Sequence, residues 1–235
     1  MLRLGVTVLL SLSARCAAQQ PSESNTDAST QSKAIQVNWL YGAYLPRDVE
    51  LVPLTRHQRM QLYLRQTYLT WGIYFKTAAF SLADQASNSP AEWGGGIGAY
   101  GQRFASRFGQ FAIQNTFSAT GNYLLGYEPR YERCRCSGVW PRVRHALIRN
   151  FVTYNSSEHD KRPQIALYAA AMGAGMVAST WSPEREDVWR SGYQSVMTQV
   201  AFGSAANVVG EFAPEIARLL RRGKQSAPAQ NAPHH

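Results

Sequence analysis

Apolar residues in the first half of this chain return at steps of three and four, not two. Met60, Leu64, Tyr68, Trp71, Phe75, Ala78 and Leu82 form one stripe of a 3.6-residue helix, and Leu62, Leu69, Ile73 and Phe80 form a second. A helix that is apolar on more than one side sits centrally in a bundle or lies against a membrane. Lys76 and the polar residues after Leu82 argue against a simple span. Thr55-Arg56-His57-Gln58 fits a capping box at the start of this helix, and Asn88-Ser89-Pro90 ends it.

The same period continues. A second helix is expected over Ala99–Tyr123, with Tyr100, Phe104, Phe108 and Phe111 as its apolar face and Arg103, Arg107, Gln110 and Gln114 opposite. Pro141 opens a short helix that should turn Val143, Leu147, Ile148 and Phe151 inward. Pro163 opens another, from Ile165 to Thr180, made almost wholly of apolar and small residues. Ser182-Pro183 followed by Glu184, Glu186 and Asp187 marks a further N-terminus, with acids at the positive end of the helix dipole. That helix carries Trp189, Tyr193, Val196 and Val200, breaks near Gly210 and resumes from Glu211 to Arg222. No alternating strand pattern of useful length occurs, so the expected fold is all-α: a compact multi-helix bundle. An extended, proline-containing aromatic arm from Val37 to Leu54 (Trp39, Tyr41, Tyr44, Pro46, Pro53) precedes it.

The two ends differ from this body. A basic start, an apolar run from Leu4 to Leu12 and small residues at Cys16 and Ala18 read as a secretory signal over residues 1–18. Arg15 departs from a lipoprotein signal at the position that wants a small residue. Residues 19–36 have too little apolar content to offset their ordering entropy and read as a disordered leader; residues 223–235, with His234 and His235, read as a disordered tail. Residues 37–222 form the expected single domain. The formal charge of +9 falls to +7 once Arg3 and Arg15 are removed with the signal.

Trp93-Gly94-Gly95-Gly96, the block Arg103-Phe104-Ala105-Ser106-Arg107-Phe108-Gly109, and Tyr127-Glu128-Pro129-Arg130-Tyr131 resemble blocks in a family of uncharacterised exported bacterial proteins. Glu211-Phe212-Ala213-Pro214-Glu215-Ile216 is similar to that family's closing block, so the likeness spans roughly residues 37 to 220. The resemblance implies a bacterial envelope location and supplies no activity, so no catalytic residue is carried over. Glu128 stands where members often have Asp.

Several motifs bear on chemistry. Gly96-Ile97-Gly98-Ala99-Tyr100-Gly101 matches the form of a dinucleotide fingerprint, but it lacks a preceding strand signal and an acid about 20 residues on. Ala169 and Gly173, and Ala171 and Gly175, stand four apart on a helix, a spacing that lets backbones approach closely and that also suits a homo-oligomer seam. That segment spans roughly 24 Å at 1.5 Å per residue, short of a hydrocarbon core of about 30 Å. Cys134 and Cys136 are the two cysteines beyond the signal; they could close a tight disulfide, pair between chains or stay reduced. Flanking arginines lower a thiol pKa, which keeps a redox role open. Glu158-His159-Asp160 lacks metal-ligand spacing, and no metal or cofactor is expected.

Arg130, Arg133, Arg135, Arg142, Arg144 and Arg149 fall within 20 residues against one acid, Glu132. Guanidinium forks suit phosphate and carboxylate groups, and in an envelope the available phosphates are anionic lipid headgroups; nucleic acid does not fit the compartment. The function expected from the sequence is therefore non-enzymatic: an exported protein of the periplasm or outer membrane. It would bind an anionic membrane surface or an envelope partner through an arginine-rich face. The alternatives are an enzyme with a redox-capable Cys134/Cys136 pair and an oligomeric structural element joined through small-residue helices.

Overall fold

The structure, a computed structural model, describes residues 36–38, 42–45, 52–158, 160–183 and 187–225. The secretory signal, almost all of the leader, Trp39, Tyr41, Pro46, His159, and the two terminal histidines lie outside the described residues. Within them the chain is a helical bundle, with six α-helices and a few short strands. Strand β1 (Gln36–Asn38) pairs antiparallel with β2 (Gly42–Leu45), and β2 pairs parallel with β3 (Tyr131–Glu132). The arm is thus partly a hairpin stitched to the loop that carries Tyr131. Its Ala43 forms a small apolar cluster with Leu54, Leu62 and Val37. A second ribbon, β4 (Val152–Tyr154) with β5 (Lys161–Pro163), follows the fourth helix.

Helix α1 (Arg56–Leu64) begins with the expected capping box: Gln58 N–H donates to Thr55 Oγ1 (3.3 Å) and Thr55 N–H to Gln58 Oε1 (2.9 Å). It does not run on as one helix. A π-helical turn, Arg65–Leu69, and an extended Thr70 separate it from α2 (Trp71–Ala86). The π turn inserts extra backbone and shifts the helical phase, and of the two apolar stripes it is Leu62 and Ile73 of the second that are buried, while the first lies mostly outside. Met60, Leu64, Tyr68, Trp71, Phe75 and Leu82 are exposed, Trp71 at 71%. The inward positions are Leu62, Thr67, Ile73, Thr77 and Ser81. Thr77 Oγ1 donates to Ile73 O (2.7 Å) and Ser81 Oγ to Thr77 O (2.8 Å), so these buried hydroxyls are satisfied inside their own helix.

Helix α3 (Gly96–Leu124) is covered on both of its expected faces: Phe111 is buried and Tyr100, Phe104 and Phe108 half-buried, while Arg103 and Gln114 of the polar side are buried too. Arg103, 0% exposed, donates to Ser89 O, Gly94 O and Pro90 O, and to the side chains of Gln85 and Asn88, so that one side chain ties down the α2–α3 loop. Arg107 clamps Asp84 of α2 through Nε (2.6 Å) and NH2 (2.7 Å). Helix α4 (Val139–Phe151) carries Arg142, His145, Arg149 and Asn150 on its inward side, while Leu147, Ile148 and Phe151, expected inside, are exposed.

Helix α5 (Ile165–Ala178) lies between α3 and α6 and contacts both extensively. It buries Ala166, Ala170, Ala171, Ala174 and Gly175, so its neighbours approach on backbone and methyl groups alone. Helix α6 (Val188–Gln225) is continuous where a break near Gly210 was expected. Pro214 lacks the N–H that would bond the Gly210 carbonyl, and at the next residue Arg142 donates to the Glu211 carbonyl. Among the described residues no helix is long and apolar enough to cross a membrane. The buried set is nevertheless dominated by alanines and polar side chains, while Trp140 (73% exposed), Trp189 and Leu219 stand outside.

Candidate functional site

The most concentrated chemistry sits where the loop 127–136 meets α1, α4 and α6. Tyr127 closes an isolated bridge with Asn155, which fixes the loop's entry beside β4. Glu128 and Arg130, both 2% exposed, then form a bidentate pair: Arg130 Nε to Glu128 Oε1 at 2.6 Å and NH2 to Oε2 at 3.0 Å. Arg130 also donates to Val52 O (2.7 Å), which anchors the segment leading into α1. Arg59 reaches in from α1, donating to Tyr127 O and Ser156 Oγ, each at 2.9 Å. Burial lowers its pKa, partly countered by Glu128.

A second buried carboxylate, Glu211 of α6, accepts from Tyr131 OH (3.0 Å), Cys134 N–H (3.2 Å) and Arg142 Nε (3.2 Å). Burial raises the Tyr131 phenol far above its ordinary range, and the adjoining Glu211 charge raises it further. Burial pulls down the Arg142 guanidinium, but Glu215 and Glu211 outweigh it and the net displacement is upward. Its plane lies 4.3 Å from the Phe212 ring. Arg149 is buried and its guanidinium pKa is pushed down by that burial; it donates to Val152 O (2.7 Å) and covers the Tyr154 ring at 4.6 Å.

This arrangement redistributes the six arginines expected on one face. Arg130 and Arg149 are buried, and Arg142 is nearly so, paired to Glu211 and Glu215. Arg133 lies over the Tyr44 ring at 4.7 Å. Arg135 and Arg144 are exposed. Cys134 and Cys136 are joined to each other in a disulfide with Cα atoms 5.2 Å apart, and the bridge is anchored by the Cys134 N–H bond to Glu211. Of the small residues, Gly175 is pressed against Ser191 and Ser195 of α6 and Gly173 against Phe117 of α3, while Ala169 is exposed. Gly98 and Gly101 face open space at the start of α3, which follows a 3₁₀ turn (Ala91–Trp93) instead of a strand. Glu158 and Asp160 pair with Arg162 on an exposed loop.

Above the loop, between α1, α2, α3 and α6, lies a cleft of about 320 Å³. Helices α3 and α6 are bridged there by Gln114 Nε2 donating to Gln199 Oε1 (2.7 Å), and beyond the cleft by Gln110 Nε2 donating to Ser195 Oγ (2.8 Å). Lys76 enters from α2 with its Nζ 4.0 Å from the Phe111 ring centre and 5.0 Å from that of Phe202. The protein around it pushes its ammonium down to about 8. Lys76, Phe111, Gln114, Gln199 and Phe202 also line a second cavity of about 210 Å³, so the lysine stands on the partition between the two.

Sequence reasoning missed Arg59, Thr67 and the role of Lys76. The signal available was the recurrence of uncharged polar side chains at helical spacing, Gln110, Gln114 and Ser118 on α3, within a pattern that also carries apolar residues. Set against protein-family models, curated proteins and solved structures, the chain matches none.

Proposed function

We propose that this is an exported, non-enzymatic cell-envelope protein that attaches peripherally to an anionic lipid surface through its apolar exterior. The observation that carries the reading is the reversed polarity of α4. Trp140, Arg144, Leu147 and Phe151 fall on one outward stripe, while Arg142, Arg149 and Asn150 are turned in. A helix with aromatic and aliphatic side chains outward beside arginines suits the boundary between headgroups and acyl chains. Arg135 and Arg144 are the exposed arginines of the six and supply the attraction to anionic headgroups. The exposed apolar side chains of α2 and α6, among them Trp71, Phe75, Trp189 and Tyr193, extend the surface that avoids water.

Flotation of the full chain on neutral and on anionic vesicles tests the proposal. Recovery with lipid is expected to be greater on anionic vesicles and to fall with salt. The combined replacement Trp140→Ser, Leu147→Ser, Phe151→Ser should remove it from both, and Arg135→Gln with Arg144→Gln should remove only the anionic preference. A chain that stays at the bottom with either lipid contradicts the reading. Sedimentation as a closed oligomer in the same experiment would assign the apolar exterior to contacts between copies.

A further inference from the structure

The cleft between α1, α2, α3 and α6 holds an uncompensated set of charges. Arg59, Lys76, Arg130 and Arg149 line it against one carboxylate, Glu128, and that carboxylate is engaged by Arg130. Among the described residues, Arg59, Lys76 and Arg149 have no carboxylate within ion-pair distance. Arg59 meets a carbonyl and a hydroxyl, Lys76 two ring faces, and Arg149 two carbonyls and a ring. A cation held in a low-dielectric site without a partner is costly, so three in one cleft require an explanation beyond packing.

Four atoms on the same walls narrow the chemistry. Thr67 Oγ1, Asn122 Oδ1, Gln164 Oε1 and Arg149 Nε are buried and pair with no protein group. Thr67 and Arg149 are more than nine-tenths buried, and all four residues line this cleft. Buried polar groups are as a rule hydrogen-bonded. Two amide oxygens call for donors, a cationic N–H calls for an anionic acceptor, and a hydroxyl serves either need. A simple inorganic anion offers acceptors but few donors, and a neutral sugar offers donors but no charge. A molecule with several hydroxyls and one acidic group satisfies both, and the cleft volume lies at the small end of ligand pockets, about 300–1,000 Å³.

We propose that this cleft is a binding site for a small polyhydroxylated anion, a sugar acid or sugar phosphate, whose acidic group is met by the unpaired cations and whose hydroxyls meet the unpaired amide and threonine oxygens. The site is independent of the lipid-facing exterior, so its test is made on the full chain in solution without vesicles. Lys76, standing between the two cavities, attracts the acidic group, and Thr67 reads a hydroxyl.

Isothermal titration with glucuronate, glucose 6-phosphate, glucose and inorganic phosphate decides the matter. Saturable one-to-one binding is expected for glucuronate, glucose 6-phosphate or both, the difference telling carboxylate from phosphate. It should be about tenfold or more tighter than for glucose or for inorganic phosphate, the size of effect expected when a buried polar partner is lost. Thr67→Val, which keeps the side-chain shape, and Lys76→Met should each weaken that binding about tenfold with the far-ultraviolet spectrum and melting transition retained. The proposal is overturned if neither acid binds, if glucose or phosphate alone binds as tightly, or if folded Thr67→Val and Lys76→Met bind like the wild type.

Discussion

Two interior regions of this molecule are filled by opposite means. Around α5 the interior is alanine and glycine, and the helices touch through methyl groups and backbone, with Gly175 directly against Ser191 and Ser195. Below the cleft the interior is charge: Glu128 with Arg130, both buried, and the buried Glu211 with the half-buried Arg142 and Tyr131, all hydrogen-bonded. Neither region relies on large aliphatic side chains, which stand mostly on the surface. In the first, stability comes from close approach and is sensitive to volume. In the second it depends on completeness, since each charge is tolerable only while its partner remains.

The sharpest way to break this contrast is to remove one buried charge. Glu128→Ala takes the bidentate carboxylate from Arg130 and should cost about 4 kcal/mol, read as a fall in the urea midpoint. Replacing both residues, Glu128→Met with Arg130→Met, should recover much of that loss. A single variant as stable as the wild type would mean the pair is dispensable. Next in size is the volume test: a Cβ at Gly175 would fall 2.3 Å from Ser195 Oγ and 2.5 Å from Ser191 O. Gly175→Ala should therefore destabilise by about 3 kcal/mol. Gly98→Ala, facing open space in a helix, should instead be neutral or stabilising by about 0.5–1 kcal/mol.

Lys76 belongs to neither region and titrates on its own. Its folded value of about 8 lies below the ordinary 10.5, so between those pH values the unfolded chain holds a proton that the folded chain has lost. Stability should rise with pH across that window and stay flat below it, where both states are protonated. Chemical denaturation at several pH values should show the rise in the wild type and its loss in Lys76→Met. Reducing the Cys134–Cys136 bridge should have a modest effect: it closes so short a loop that its loss should cost about 1.5 kcal/mol.

The helices were legible because their period, the capping box at Thr55 and the prolines at 141 and 163 act locally. Orientation was not. The stripe Met60, Leu64, Tyr68, Trp71, Phe75, Ala78 and Leu82 has the right spacing for a helix, but spacing says which residues share a face and not which way that face points. A π turn at Arg65–Leu69 leaves no mark in apolar periodicity, and an apolar stripe is normally assigned to a core. The spacing of Arg142, His145 and Arg149 puts them on one face of α4; the inward turn of Arg142 was not legible, because its partners Glu211 and Glu215 lie some 70 residues away in sequence. The cleft could not be read for the same reason, since Thr67, Asn122, Gln164 and Arg149 meet only through the fold.

The proposed lipid attachment requires that exposed tryptophans such as Trp140 and Trp189 reach the acyl chains. Tryptophan emission of the full chain on vesicles with brominated acyl chains measures it directly, because bromine quenches only rings that reach the chains. The account expects emission to fall steadily as brominated lipid replaces ordinary lipid, and the fall to shrink when Trp140→Phe and Trp189→Phe are introduced. Emission unchanged by brominated lipid, with the protein present at the vesicle surface, would contradict it.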